Sequence, residues 1–300
     1  MLEKNKNIFY FDAHFHLADC LDLKIDSRVK PGNDTLDGLS LSAHPVSLSA
    51  HPVSLSGLTR QSFSNINWTG CSCSHSIEEW EVVQTALRQA QGPQIIHSYG
   101  LHPQSAGYIN IQENAGFLEQ LLEEKKLHAI GEAGFDYFTQ DFRDQTATQE
   151  EMFNIQLDLA LQYNLPLVIH CRKANEKLFE YSKQLKKLPA VLFHSFMGTP
   201  IEAKSLLKRG INGFFSFGKQ VMNNNKKVIA CVRDLPADVL LTETDAPWQF
   251  LKGESHTNPL EIKKIFEAFC QIRNEAPEIL TRQIKQNFLT LFFQNSNTKS

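Results

Sequence analysis

Two histidines separated by one residue close the first apolar run of the chain. The sequence Asp12-Ala13-His14-Phe15-His16 follows directly on Ile8-Phe9-Tyr10-Phe11. If the run forms a strand, alternation places His14 and His16 on one side, with Asp12 below them on the same side. Two imidazoles placed in this way form half of a metal site. Alone, the pair is equally typical of polar residues at a strand end, so further ligands are needed.

Other apolar runs also finish on residues that bind hard or borderline metal ions. Any one of them is weak support, because a histidine on an apolar run is more often a hydrogen-bonded core residue. Burying several ionisable groups together is costly unless they coordinate something. The sequence therefore predicts a metal centre whose ligands are His14, His16, Glu132, His170, His194 and Asp245.

This number of ligands suits two ions. Four histidines and two carboxylates exceed the needs of one tetrahedral ion and fit a pair of ions about 3.5–4 Å apart. Such a pair lowers the pKa of bound water and clamps both oxygens of a displacement at phosphorus. Glu132, central in strand order, is predicted to bridge the ions. Asp245 is predicted to ligate one ion and to accept the proton of the attacking water, so these two are the predicted catalytic residues.

The runs that carry these residues recur through the chain, with amphipathic segments between most of them. Their Val, Ile, Leu and Phe content with little polar alternation is typical of parallel strands covered on both faces. Reactive groups of a parallel barrel lie where its strands end. The alternation predicts an α/β fold, a (β/α)8 TIM-like barrel. The predicted strands are Ile8–Leu17, Trp68–Ser74, Ile95–His102, Ala129–Asp136, Pro166–Cys171, Val191–Phe196, Gly213–Phe217 and Val239–Asp245.

Helical spacing of apolar residues is clearest over Thr148–Tyr163. This helix is predicted to open with a capping box formed by Thr148 and Glu151. The other predicted helices are Ile77–Ala90, Gln112–Lys125, Asn175–Lys187, Pro200–Arg209, Pro259–Ile272 and Glu278–Phe293.

The connection after the first strand departs from this pattern. Within residues 23–64, Ser40-Leu-Ser-Ala-His-Pro-Val46 is repeated as Ser47-Leu-Ser-Ala-His-Pro-Val53. The segment has no period that would bury a face, which predicts a disordered, low-complexity insertion in a single domain that spans residues 1–300. Metal or substrate binding by His44 and His51 is the alternative, but a mobile repeat lacks the supporting side chains of a site.

Composition limits the choice of partners and compartment. The net charge of −3 gives no global basic field, so a nucleic-acid substrate would need a local patch or metal ions. Six cysteines in 300 residues are not the density of a disulfide scaffold. The polar N-terminus and the lack of an apolar run of about 18 residues predict a cytoplasmic protein without a membrane segment. No protein partner is predicted.

With these residues in place, the chain resembles the TatD family of metal-dependent deoxyribonucleases, within the amidohydrolase superfamily of barrels. The resemblance covers the chain except for about residues 23–64, and Ala133 and Trp248 depart from the usual family pattern. The matching segments, in family order, are Asp12–Leu17, Gly100–Pro103, Ile130–Tyr137, Leu165–Ala174, His194–Gly198, Glu243–Pro247 and Asn287–Phe292.

The resemblance implies the same six metal ligands. It also implies hydrolysis of phosphodiester bonds in DNA, commonly as a 3′ exonuclease, with two divalent ions such as Mg²⁺, Mn²⁺ or Zn²⁺. Single-stranded DNA or duplex ends are then the expected substrate.

Several other polar residues have two readings. His102 is predicted to support the site or to donate to a phosphate, with loop packing as the alternative. Arg172 is predicted to hold a substrate phosphate, against a surface charge pair with Lys173. Cys71 and Cys73 favour buried thiols over a zinc pair. No partner is predicted for His75.

Three functions remain open on the sequence. The first is a two-metal phosphodiesterase acting on DNA ends. The second is a metal-dependent hydrolase of a small ester, amide or phosphate, which the absence of a positive field leaves open. The third is a non-enzymatic relic or binding protein, which the presence of all six ligands argues against.

Overall fold

Eight parallel strands form one sheet in which each strand pairs with its neighbour in sequence. The computed structural model describes residues 8–21, 67–89 and 95–293. Strand order and pairing confirm the predicted barrel. The strands are β1 Tyr10–Phe15, β2 Trp68–Ser74, β3 Ile95–Tyr99, β4 Ala129–Asp136, β5 Leu167–Arg172, β6 Val191–Phe193, β7 Gly213–Phe217 and β8 Leu240–Thr242.

The last strand lies beside the first, so the sheet curls into a nearly closed barrel. The Thr242 hydroxyl donates to the carbonyl of Phe11 at 2.6 Å. Beyond the end of β8, the amide of Asp245 donates to the carbonyl of His14 at 3.0 Å. This TIM barrel brings the carboxyl ends of all eight strands to one mouth.

Helices follow the strands and cover the barrel. Asn287 on the last helix donates to the carbonyls of Ala237 and Leu240 at 2.8 and 2.7 Å, which fixes that helix under β8. None of the helices in the described ranges combines the length and apolarity needed to cross a membrane. They are α1 Leu17–Leu21, α2 Ile77–Gln89, α3 Ile111–Glu123, α4 Gln140–Asp144, α5 Thr146–Tyr163, α6 Asn175–Glu180, α7 Ser182–Leu185, α8 Pro200–Lys208, α9 Lys226–Asp234, α10 Ile262–Arg273 and α11 Pro277–Phe293.

Two helix predictions are wrong in detail, and one helix was not predicted. Thr148 lies inside α5, which begins at Thr146 without a side-chain cap, because a short helix ending at Asp144 already leads the chain into it. The helix predicted over Asn175–Lys187 divides at Tyr181 into α6 and α7. No helix was predicted between β7 and β8, where α9 lies.

The predicted insertion at residues 23–64, with His44 and His51, lies outside the residues that the structure describes. Its disorder and any role of its histidines therefore stay predictions.

Candidate metal centre

Glu132 lies in the middle of β4, where the pairing with β5 changes register between Ile130 and Ala133. Glu132 was predicted among the residues on which apolar runs finish, but it stands inside the strand, because pairing continues to Asp136. Such irregularities re-aim a side chain near a functional site. Gly134 makes the close approach of β4 and β5 possible, since a Cβ there would overlap the carbonyl oxygen of His170.

Six imidazole nitrogens surround the Glu132 carboxylate, which is 2% exposed. They come from the ends of five strands, β1, β2, β3, β5 and β6, or from residues just beyond them, and three nitrogens face each oxygen. Oε1 lies 3.0, 3.3 and 3.0 Å from Nε2 of His14, His16 and His75. Oε2 lies 2.6 Å from Nε2 of His194, 3.2 Å from Nδ1 of His170 and 3.6 Å from Nε2 of His102.

Hydrogen bonds to Glu132 cannot satisfy all of these nitrogens. A carboxylate oxygen offers about two acceptor sites, whereas each oxygen faces three rings. The rings also face one another, with Nε2 of His14 3.2 Å from Nε2 of His16. Ligands held about 2.0–2.2 Å from a zinc-like ion lie roughly 3 Å apart. The donor set therefore fits divalent cations between the rings.

Asp245 completes the set of six predicted ligands. Its Oδ1 lies 3.3 Å from Nε2 of His16 and 3.6 Å from Nε2 of His14. Its Oδ2 accepts a hydrogen bond from Gln249 Nε2 at 2.8 Å, which orients the carboxylate. Among the described residues, the His, Glu and Asp side chains of this centre form four overlapping sets of three. In each set the ligand atoms lie within 4.8 Å of one another.

A carboxylate behind His170 fixes the ring that faces Glu132. Oδ2 of Asp136, the last residue of β4, lies 3.2 Å from Nε2 of His170 and leaves Nδ1 toward the centre. Burial of Asp136 acts to raise its pKa. The hydrogen bonds from His170 and Gln104 outweigh burial and lower the pKa to about 2. Asp136 is therefore ionised and holds the orientation of the imidazole.

Two more buried carboxylates support the cluster from below. Oε2 of Glu243 lies 3.7 Å from Nδ1 of His194, while Oε1 accepts from the amide of Ser195 at 2.8 Å. Asp12 accepts from the amide and hydroxyl of Thr244 at 2.9 and 2.6 Å. It therefore joins β1 to the chain beyond β8 and is not a ligand.

The cluster shifts the proton affinities of its own members. Burial acts to raise the pKa of Glu132, but His194, His14 and His102 outweigh it and hold the pKa well below its usual range. Burial acts to lower the pKa of His194, and the adjacent Glu132 instead raises it well above the ordinary value. Burial lowers the pKa of His102 to about 3. A deprotonated carboxylate at the centre is the state that binds metal.

The two predicted substrate-binding residues lie on either side of β4, with His102 just beyond β3 and Arg172 at the end of β5. His102 reaches the cluster itself, and its Nδ1 accepts from the amide of Gln104 at 3.2 Å. The guanidinium of Arg172 lies over the ring of Phe138, 3.5 Å from its centroid. Arg172 lies two residues beyond His170 on β5 and so shares its side of the strand.

Sequence reasoning missed His75 and Asp136. Both lie where the strand-end rule would have placed a ligand, since His75 follows β2 directly and Asp136 ends β4. Applying that rule to every strand in turn would have found them. The role of Glu243 was also missed, although it stands two residues before the predicted ligand Asp245.

Comparison with known proteins gives a consistent result. The family model described as "TatD related DNase" matches residues 11–293. A protein of Cronobacter sakazakii named "3'-5' ssDNA/RNA exonuclease TatD" is 32% identical over 243 residues, covering 78% of this chain and 88% of that protein. An "Uncharacterized metal-dependent hydrolase" of Mycoplasma pneumoniae is 32% identical over 248 residues, covering 80% of this chain and 81% of that protein.

Solved structures have the same barrel. YJJV, a TatD homolog from Escherichia coli K12, superposes with a TM-score of 0.69 and 26% identity, covering 79% of this chain and 90% of that one. A hydrolase of the TatD family from Entamoeba histolytica superposes with a TM-score of 0.72 over 95% of this chain and 98% of that one. At 18% identity, the second likeness shows the fold alone.

Proposed function

Because the chain belongs to the family of TatD-related DNases, and is therefore a metal-dependent hydrolase of ester bonds, we propose that it cleaves phosphodiester bonds at the 3′ ends of DNA with two divalent ions. The observation that carries the proposal is the Glu132 carboxylate, which has three imidazole nitrogens on each oxygen. One carboxylate with ligands on both sides suits a bridge between two ions.

The two sides of Glu132 define the two proposed positions. His14, His16 and Asp245 lie on the Oε1 side, and His170 and His194 lie on the Oε2 side. Bound ions would supply Lewis acidity and a lowered pKa of water. The protein holds these side chains on strand ends of one rigid barrel, so their geometry exists before a substrate arrives.

Asp245 is the proposed acceptor of the water proton. Its side chain is 12% exposed, whereas that of Glu132 is 2% exposed, so water reaches Asp245 more easily. Burial acts to raise its pKa, but His16, His194 and His14 together lower it. The residue is therefore a carboxylate near neutral pH, with Oδ2 fixed by Gln249.

His102 and Arg172 are the proposed phosphate-binding residues. The ring of Phe138 lies under the guanidinium of Arg172, so it restricts the plane of a group that binds phosphate oxygens in pairs. The net charge of −3 makes such local contacts and the ions the main source of affinity for an anionic substrate.

The test is a cleavage ladder on 3′- and 5′-labelled DNA oligonucleotides, single-stranded and duplex. We expect EDTA to abolish cleavage, Mg²⁺, Mn²⁺ or Zn²⁺ to restore it, and products to shorten from the 3′ end. The double variant His170→Ala, Asp245→Ala should lose at least roughly 1,000-fold in rate, because both metal positions lose a ligand. Asp141→Asn, at an exposed position on α4, is the matched control.

Two results would overturn this function. One is full cleavage by the metal-free protein or by the double variant. The other is hydrolysis of small esters, amides or phosphate esters far faster than that of any oligonucleotide, which would assign the same centre to a small substrate.

A further inference from the structure

His75 lies within the Glu132 centre, although neither the predicted ligand set nor the one implied by the family resemblance contains it. Its Nε2 lies 3.0 Å from Oε1 of Glu132. His16, Glu132 and His75 form a group whose ligand atoms lie within 4.8 Å of one another. We propose that His75 is a metal ligand which, with His16 and Glu132, makes this centre selective for zinc-class transition ions over Mg²⁺.

A simple hydrogen bond to Glu132 does not account for His75. Oε1 already has Nε2 of His14 at 3.0 Å and of His16 at 3.3 Å. About two acceptor sites on one oxygen cannot serve three rings. The ligand atoms of His16, His75 and Glu132 instead lie close enough together to surround one ion.

The chain fixes His75 in place before any ion binds. Its amide donates to Oε2 of Glu79 in the first turn of α2 at 2.6 Å, and the amide of Glu79 donates to the hydroxyl of Ser76 at 3.2 Å. The ring packs against those of His16 and His102, with centroids 4.9 and 4.7 Å apart. A ligand held by a helix start on a rigid strand end is preorganised.

The donor type decides the class of ion. Imidazole suits zinc, cobalt, iron and nickel, whereas Mg²⁺ takes oxygen ligands and retains waters. With His75, three imidazoles face Oε1. The inference rests on the metal centre of the proposed function. It does not depend on DNA as the substrate, so cleavage is not its readout.

The experiment titrates the metal-free full chain with Co²⁺, followed by its visible absorption, and with Mg²⁺ in competition against Co²⁺. His75→Ala should weaken Co²⁺ binding roughly tenfold or more and change the cobalt spectrum, with Mg²⁺ affinity altered less than about threefold. His256→Ala, at an exposed histidine that contacts Ser255, should bind both ions like the parent protein.

His75→Gln, with similar volume, serves if the alanine variant is not folded by circular dichroism. Anomalous diffraction from zinc-soaked crystals of the parent protein needs no variant. A zinc peak within about 2.4 Å of His75 Nε2 supports the proposal. Zinc peaks in the centre with none at His75, unchanged Co²⁺ affinity, or an equal loss of Co²⁺ and Mg²⁺ affinity would overturn it. If the parent protein binds zinc at His75 but does not cleave DNA, the proposed function is wrong and the assignment of His75 as a ligand stands.

Discussion

Oδ2 of Asp136 lies 3.2 Å from Nε2 of His170 and so presents the opposite ring nitrogen, Nδ1, to Glu132. A carboxylate in this position fixes the ring and the proton that it carries, and it makes the other nitrogen a better ligand. His170 thus has a support within the same pair of strands, because Asp136 ends β4 and His170 lies on β5.

Asp136→Asn tests that relationship. The neutral amide loses the charge that favours one tautomer of His170, so we expect metal affinity to fall about 10–100-fold with little change in fold. Titration of the metal-free variant with Co²⁺ measures the effect, and Asp141→Asn on α4 is the control. Parent-like affinity in Asp136→Asn would show that the carboxylate does not act on the ligand.

Gly134 sets how closely β4 approaches β5. It has φ +142°, and an added Cβ would overlap the carbonyl oxygen of His170. Gly134→Ala should therefore destabilise the protein by roughly 3 kcal/mol or more, from strain and displaced backbone. Gly116→Ala, in α3 with nothing within 4 Å of the new Cβ, should stabilise it by about 0.5–1 kcal/mol. Urea unfolding distinguishes them, and equal effects would contradict the steric explanation.

The strand pattern was predictable because barrel strands are buried on both faces. Three predicted runs, Trp68–Ser74, Ala129–Asp136 and Gly213–Phe217, have the bounds that the structure gives. A strand that is buried on both faces has nearly continuous apolar residues, so its sequence indicates its position in the fold. Helix α9 was missed because only three of its residues, Val228, Cys231 and Val232, are buried, so its apolar pattern is short.

The ligands were predictable because a parallel barrel places strand ends together, which turns distant sequence positions into neighbours. His194 and Asp245 lie one and three residues beyond β6 and β8, and the mouth still gathers them. The register change at Glu132 could not be predicted, since it depends on how β4 meets β5. The supporting contact of Asp136 likewise exists only after the strands pair.

Lys219 ties the chain beyond β8 to the end of β7. Its side chain is 1% exposed, and Nζ lies 2.5 Å from Oε2 of Glu254 and 2.7 Å from Oε2 of Glu261. Lys219→Ala leaves two carboxylates without their buried cation. We expect a loss of about 2–4 kcal/mol, below the cost for a fully buried pair, because Glu254 stays partly exposed.

The control for Lys219 uses one of the same acids. Lys264 lies 2.7 Å from Oε1 of Glu261, but its side chain is 59% exposed. Lys264→Ala should cost less than about 1 kcal/mol. Guanidinium unfolding measures the loss of unfolding free energy in both variants. Similar losses would show that burial of Lys219 does not determine its contribution to stability.

His97 lies apart from the metal centre and makes the free energy of unfolding depend on pH. It lies on β3 beside His128, whose Nδ1 accepts from the His97 amide at 3.4 Å. Burial, and to a smaller degree His128, lower the pKa of His97 to about 4. The unfolded chain binds this proton near pH 6.5, whereas the folded chain does not, so the free energy of unfolding decreases as pH falls from about 6.5 to 4.

His97→Gln should remove that part of the pH dependence. The ring is partly exposed, so we expect its contribution between pH 6.5 and 4.5 to be about 1–2 kcal/mol. Urea unfolding at the two pH values, in the presence of chelator, measures the difference between the variant and the parent protein. The exposed His256 provides the control, since His256→Gln should retain the parent slope. If His97→Gln lost as much stability on acidification as the parent protein, the acid sensitivity would belong to other groups, and the histidines around Glu132 would be the next to substitute.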